Sequence, residues 1–168
     1  MDATTAPVPT IDLAGQVALV TGASSGLGRR FAVLLAANGA RVVAAGRRLE
    51  RLAEVTQEIN DAGGTCMPLQ LDVTDAGALA EAVETIERHL DPVQILVNNA
   101  GIPDAQYATK MSLELIDQVL DTNLRAPYVL SCEVARRLIE LKLPGRMVNI
   151  SSIGGFHYSG GGAALYSI

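Results

Sequence analysis

QVALVTGASSGLGRR, residues 16–30, runs from an unbroken apolar segment through three glycines into a stretch of helical period. The apolar segment, Gln16 to Thr21, reads as a buried strand, and the helix starts near Gly26. Between them Gly22, Gly26 and Gly28 permit a tight turn, let backbone N–H groups approach a phosphate closely and bring helix against strand. The helix start presents unpaired N–H groups and the positive end of its dipole, a seat for pyrophosphate to which the Ser24 and Ser25 hydroxyls add donors. Glycines alone serve turns everywhere. At the first strand-to-helix junction of a repeating strand–helix–strand unit they mark a dinucleotide site.

That repeat is legible further out. Short apolar runs at residues 41–46 (RVVAAG), 66–73 (CMPLQLDV), 94–101 (QILVNNAG) and 146–152 (RMVNISS) are separated by stretches of helical period. The runs are nearly continuous rather than alternating, so both faces of the sheet must be covered, which requires parallel strands with helices on both sides. Leu52, Val55 and Ile59 form one core stripe; Leu79, Val83, Ile86 and Leu90 form another, with Glu81, Glu84, Glu87 and Arg88 on its far side. From Tyr128 to Ile139 the apolar arc is wider than packing on one sheet needs. It reads as half of a subunit interface or as a deeply buried helix of a monomer.

A chain of 168 residues with 49% hydrophobic content supports one core. Residues 1 to about 12, small and Pro/Thr-rich, are expected to form a mobile tail, leaving 13–168 as the domain. A net charge of −5 without a basic run argues against nucleic-acid phosphates as a partner. No apolar run approaches the ~18 residues of a membrane span, and the first ten residues lack the pattern of a secretory leader. Cys66 and Cys132 lack metal-ligand spacing and read as buried thiols of a reducing compartment. A cytoplasmic, non-membrane protein that binds no metal is expected.

The glycine spacing, with Thr21 in front, is T-G-x-x-x-G-x-G, and it resembles the signature of the short-chain dehydrogenase/reductase family. The resemblance runs from about residue 14 to the end. It implies a Rossmann-type doubly wound parallel sheet in three layers, a nicotinamide cofactor, a small carbonyl or alcohol substrate, and a homo-oligomer, dimer or tetramer. Gly22, Ser24, Ser25, Gly26, Leu27 and Gly28 become cofactor-binding candidates. Where an Asp or Glu would accept from the ribose 2′-OH of NAD, the chain has Gly46, followed by Arg47 and Arg48. Two cations at a helix start oppose its dipole by roughly 0.3–1 kcal/mol, which a bound anion would offset. NADP is therefore expected rather than NAD, the alternative being that Arg47 merely pairs with Glu50. The resemblance further places Asp72 and Val73 along the adenine, and Asn99, Ala100 and Gly101 along a ribose. Read alone, Asn98 and Asn99 are amides that satisfy backbone at a strand end.

Ligands of an open parallel sheet bind beyond the carboxyl ends of its strands. Ser152 ends the fifth strand, and Tyr166 follows across a glycine-rich loop. The resemblance implies that Ser152 positions the substrate oxygen, Tyr166 exchanges a proton with it, and Asn123 helps hold a relay water. The family pattern is Y-x-x-x-K, and Tyr166 is followed only by Ser167 and Ile168. The lysine that would lower the phenol pKa, about 10 when unperturbed, is missing from the sequence. So are the later strands, and the chain is expected to be a piece of a longer reductase. Two alternatives stand beside a ketone reductase of the 3-oxoacyl type: a non-catalytic nucleotide-binding or pairing module, and sugar-nucleotide chemistry, which the glycine spacing disfavours. Phe156, His157 and Tyr158 are specificity candidates. His89 and His157 receive no catalytic role.

Overall fold

In a computed structural model the chain is described over residues 11–103, 106–155 and 165–166. Five strands alternate with helices: β1 (Val17–Thr21), α1 (Gly26–Ala37), β2 (Arg41–Gly46), α2 (Leu49–Asp61), β3 (Thr65–Gln70), α3 (Ala76–His89) and β4 (Val93–Asn98). Then come α4 (Leu113–Leu120), α5 (Ala126–Leu141) and β5 (Arg146–Asn149). All pairings are parallel, in the order β3-β2-β1-β4-β5. The order reverses between β1 and β4, which opens a crevice beyond their carboxyl ends. This is the doubly wound architecture expected from the sequence.

The two faces of the sheet have separate cores. Ala18, Val20, Val42 and Ala44 point to one, where Leu52, Val55 and Ile59 of α2 and Ala32 and Ala36 of α1 cover them. Val17, Leu19, Val43 and Ala45 point to the other, under Leu79, Val83 and Ile86 of α3 and Leu130, Val134 and Leu138 of α5. The runs of β1, β2 and β4 thus have the two-sided burial expected of them, whereas those of the outer strands do not: β3 is mostly half-buried and β5 is exposed. Leu90 is half-buried at the end of its stripe.

The polar side of α3 is not all solvated. Glu87 takes two bonds from Arg137 of α5, Nε to Oε2 at 2.6 Å and Nη2 to Oε1 at 2.7 Å. On α5 the wide apolar arc divides. Leu130, Val134 and Leu138 are buried, whereas Tyr128 and Ile139 are 72% and 76% exposed. β5 is an outer strand with all four residues exposed.

A π-helical turn, Asp121–Arg125, joins α4 to α5 in one rod. Pro127 stands at the start of α5, where a missing N–H is tolerated. Ser112 caps α4 by accepting from the Leu115 N–H, and Asp75 caps α3 by accepting from Gly77 and Ala78. Of the expected tail, residues 1–10 lie outside the described residues. Ile11 donates its N–H to the Asn38 side chain at 2.9 Å. Among the described residues no helix is long and apolar enough to cross a membrane.

Candidate functional site

The strand tips hold the glycine loop through one hydroxyl. Thr21 Oγ1, buried at the end of β1, accepts from the backbone N–H groups of Asn99 and Ala100 at 3.0 Å each. Asn99 returns the contact, its Nδ2 donating to the Thr21 carbonyl at 3.0 Å. Asn98 Nδ2 reaches the Ser131 hydroxyl at 3.0 Å and Asn149 Oδ1 at 2.8 Å, tying β4 to α5 and β5. The two asparagines thus do the structural work expected of side-chain amides at a strand end.

Two glycines are fixed by what surrounds them. A Cβ on Gly28 would lie 2.3 Å from the Gly22 carbonyl oxygen and 2.5 Å from Asn99 Nδ2. A Cβ on Gly22, which also has φ +65°, would lie 2.9 Å from Ala100 Cα. The loop is folded onto the β4 tip with no room for a side chain at Gly22 or Gly28, and it leads into the first turn of α1, whose N–H groups have no helical partner.

Beside it opens a cleft of about 320 Å³ whose walls include Gly22, Ser24, Ser25, Arg47, Arg48, Asp72, Val73, Asn99, Ala100 and Gly101. Residues far apart in sequence, each expected to touch a cofactor, meet there. Gly26, Leu27 and Gly28, also expected to bind the cofactor, open α1 and are not among the residues that line this cleft; Leu27 is exposed. Arg48 Nη2 donates to the Ser24 hydroxyl at 2.9 Å and the Ser25 hydroxyl at 3.1 Å. The alternative partner for Arg47 does not appear: among the described residues it makes no ion pair with Glu50, and its charge lies near Asp72. A Cβ at Gly46 would stand 3.9 Å from Ser24 Oγ, so a carboxylate there would project at the serine-arginine cluster.

Asp72 shapes the far wall. Its Oδ1 accepts from the Thr74 N–H at 3.0 Å and the Thr74 hydroxyl at 2.8 Å, an Asx turn that ends β3. The Thr74 N–H, with its hydroxyl and the Arg47 charge, holds the Asp72 carboxyl below the usual range against a smaller effect of burial. Its other oxygen has no partner among the described residues.

The residues expected to carry the reaction are less gathered. Asn123 sits in the π turn, where its amide is occupied. Oδ1 accepts from the Ile102 N–H and Nδ2 donates to the Ile102 carbonyl, both at 2.9 Å. Its side chain therefore pins the loop after β4. Its backbone carbonyl cannot receive the usual helical bond from four residues on, because Pro127 has no N–H. Ser152 is half-buried and its Oγ accepts from the Gly154 N–H at 3.1 Å. Tyr166 is 38% exposed. No hydrogen bond joins Asn123, Ser152 and Tyr166 among the described residues, and Phe156, His157 and Tyr158 lie outside those residues. Sequence reasoning passed over Leu71, Ile102 and Thr122, which also line the cleft. Their signal was adjacency alone: each is next to a residue already singled out.

The comparisons with known proteins agree with this geometry. Residues 16–167 match the family model described as short chain dehydrogenase. The chain is 38% identical over 153 residues to an uncharacterized oxidoreductase of Myxococcus xanthus, covering 91% of this chain and 60% of that protein. It is 38% identical over 149 residues to the 3-oxoacyl-acyl-carrier-protein reductase of Escherichia coli, covering 89% of this chain and 59% of that one. Among solved structures, a metagenomic short-chain oxidoreductase in complex with NADP superposes with a TM-score of 0.87 at 36% identity, covering 92% of this chain and 70% of that chain. The chain belongs to the short-chain dehydrogenase family. It spans about 60% of the length of the curated relatives just named.

Proposed function

We propose that the chain carries the cofactor site and reacting side chains of an NADP-dependent oxidoreductase. Its reaction is hydride transfer between nicotinamide and a carbonyl or secondary alcohol, a 3-oxoacyl compound or another ketone. The observation that carries the cofactor half is the placement of Arg48 on both Ser24 and Ser25, beside a Gly46 that offers no carboxylate. The chemistry of the cleft fits the group. The first-turn N–H groups of α1, which lack helical partners, suit a pyrophosphate, a cation between two hydroxyls suits a 2′-phosphate, and the Asp72 oxygen without a partner among the described residues suits the adenine amino group. That the metagenomic relative is complexed with NADP supports the same choice.

Bound NADPH supplies the hydride. Ser152, whose oxygen accepts from the Gly154 N–H and whose own hydrogen remains free to donate, then donates it to the substrate oxygen, and Tyr166 delivers the proton that completes the alcohol. Asn123 supports them by fixing the loop beside the cleft through Ile102 and by its backbone carbonyl, which suits a relay water. In the reverse direction Tyr166 takes the proton.

Titration of the chain with NADPH and NADH tests the cofactor half. Arg48→Ala is expected to weaken the preference for NADPH about 10- to 100-fold, the worth of a charge-assisted bond. Gly46→Asp is expected to invert it. Equal affinity of the native chain for both cofactors would refute the NADP reading. Consumption of NADPH with a panel of ketones, abolished by Tyr166→Phe, tests the chemistry. A chain that binds NADPH and turns nothing over would favour the second reading, a nucleotide-binding module.

Its proposed partner is a second copy. Tyr128, Cys132, Ala135 and Ile139 stand at i, i+4, i+7 and i+11 on the outer face of α5. An antiparallel pair centred between Glu133 and Val134 brings Tyr128 against the partner subunit's Ile139 and Cys132 against the partner subunit's Ala135. Sedimentation of Tyr128→Glu, expected to be monomeric, checks this. The free thiols of Cys66 and Cys132 accord with a cytoplasmic location.

A further inference from the structure

Both arginines of the proposed 2′-phosphate site sit on a two-residue connection between the last residue of β2, Gly46, and the first of α2, Leu49. A connection that short and exposed needs anchors, and it has them on both flanks. On the β1 side the Ala23 N–H donates to the Ala45 carbonyl at 3.0 Å, and Arg48 reaches Ser24 and Ser25. On the β3 side the Leu71 N–H donates to the Gly46 carbonyl at 2.9 Å. One further bond comes from a side chain: Gln70 Nε2 donates to the Arg47 carbonyl at 3.2 Å. Gln70 ends β3 in register with Gly46, and it is not among the residues that line the cleft.

From this geometry we infer that Gln70 is a positioning residue of the 2′-phosphate subsite, acting through the Arg47 carbonyl. The inference rests on the NADP reading. The Arg47 carbonyl and the Arg48 N–H belong to one planar peptide unit, so holding the oxygen toward β3 fixes the orientation of the unit. That orientation keeps the negative end of the carbonyl dipole away from an incoming anion. It also fixes the point from which the Arg48 side chain departs toward Ser24 and Ser25. Released, the unit can rotate about the Arg47 ψ and Arg48 φ angles, which no strand or helix bond restrains on the carbonyl side. Glutamine is well matched to this position, because its amide donates to a carbonyl while adding no charge beside the phosphate, whereas a glutamate would repel both.

The test compares adenosine 2′,5′-bisphosphate with 5′-AMP, two ligands that differ only in the 2′-phosphate, by calorimetric titration of the native chain and two variants. Gln70→Met keeps the length and loses the donor; Gln70→Asn keeps the amide and falls one methylene short. In both, the affinity ratio of the two ligands is expected to fall about two- to five-fold, the worth of one exposed hydrogen bond, with 5′-AMP binding unchanged. A merely structural role would weaken both ligands alike, and that outcome or an unchanged ratio overturns the inference. A native chain with no preference for the bisphosphate overturns the NADP reading and this one with it; a native preference insensitive to Gln70 overturns this one alone.

Discussion

At the tips of β1, β2 and β3 each connection is tied to a neighbour: Thr21 to Asn99 and Ala100, Ala23 to Ala45, Arg48 to Ser24 and Ser25, Leu71 to Gly46. Ser152, expected to end the fifth strand, lies three residues beyond β5, where its hydroxyl accepts from the Gly154 N–H and its carbonyl from the Gly155 N–H within one short turn, and Tyr166 has no hydrogen-bond partner among the described residues. The first region is organised by backbone and short side chains already held in the sheet. On the proposed reading, nucleotide recognition is therefore built into the strand tips themselves. The second region carries the side chains proposed to react, and its exposed strand offers them little support.

The sharpest way to break this contrast is to fill the space under the glycine loop. Gly28→Ala places a methyl against the Gly22 carbonyl and the Asn99 amide, neither of which can yield without opening the β4 tip. It is expected to cost about 3 kcal/mol and to abolish NADPH binding, read as a fall in Tm of roughly 6–12 °C and a flat titration. Next is Thr21→Val, which keeps the shape and removes the acceptor of two backbone N–H groups, at about 2 kcal/mol in denaturant unfolding. Ser152→Ala, an equally small change at the other region, is expected to stay within about 0.5 kcal/mol, so similar losses at both positions would erase the distinction.

Away from the tips, Glu87→Gln is expected to cost at most about 1 kcal/mol at neutral pH, because its bonds to Arg137 are partly solvated. The Arg137 guanidinium holds the Glu87 carboxyl below its ordinary value. A lowered folded-state value means that the contribution is present above the ordinary glutamate range and is lost as pH falls through the lowered one. The native chain and the variant should therefore converge in acid. The smallest effect concerns thiols. Burial pushes the Cys66 thiol up and leaves it 8% exposed, so alkylation of the Tyr128→Glu variant, in which Cys132 is freed from the proposed partner, should label Cys132 first and Cys66 only in unfolded chain, as peptide mapping would show.

The strands were legible because two-sided burial writes itself as unbroken apolar runs, and β1, β2 and β4 fall within the stretches so read or begin one residue earlier. β3 is shorter than its run. The stretch read as a strand runs on through Val73, but β3 ends at Gln70 and Asp72 closes an Asx turn just beyond it. The rod of α4, π turn and α5 was read only from Tyr128 onward. Pro127 looks like a boundary in sequence, while the widened turn before it absorbs the missing donor. In the cleft, glycine spacing and paired arginines were visible as text. The division of labour between Arg48 and Arg47 was not, since it depends on which loop each side chain crosses. Nor could the sequence reveal that the amide of Asn123 is spent on Ile102, a partner 21 positions away.

The Thr21 hydroxyl reaches 78 and 79 positions along the chain to Asn99 and Ala100. During synthesis the glycine loop leaves the ribosome early, yet it has nothing to fold against until the fourth strand has emerged as well. Nascent chains cut short before that point should pass through a column of immobilised nucleotide without being retained.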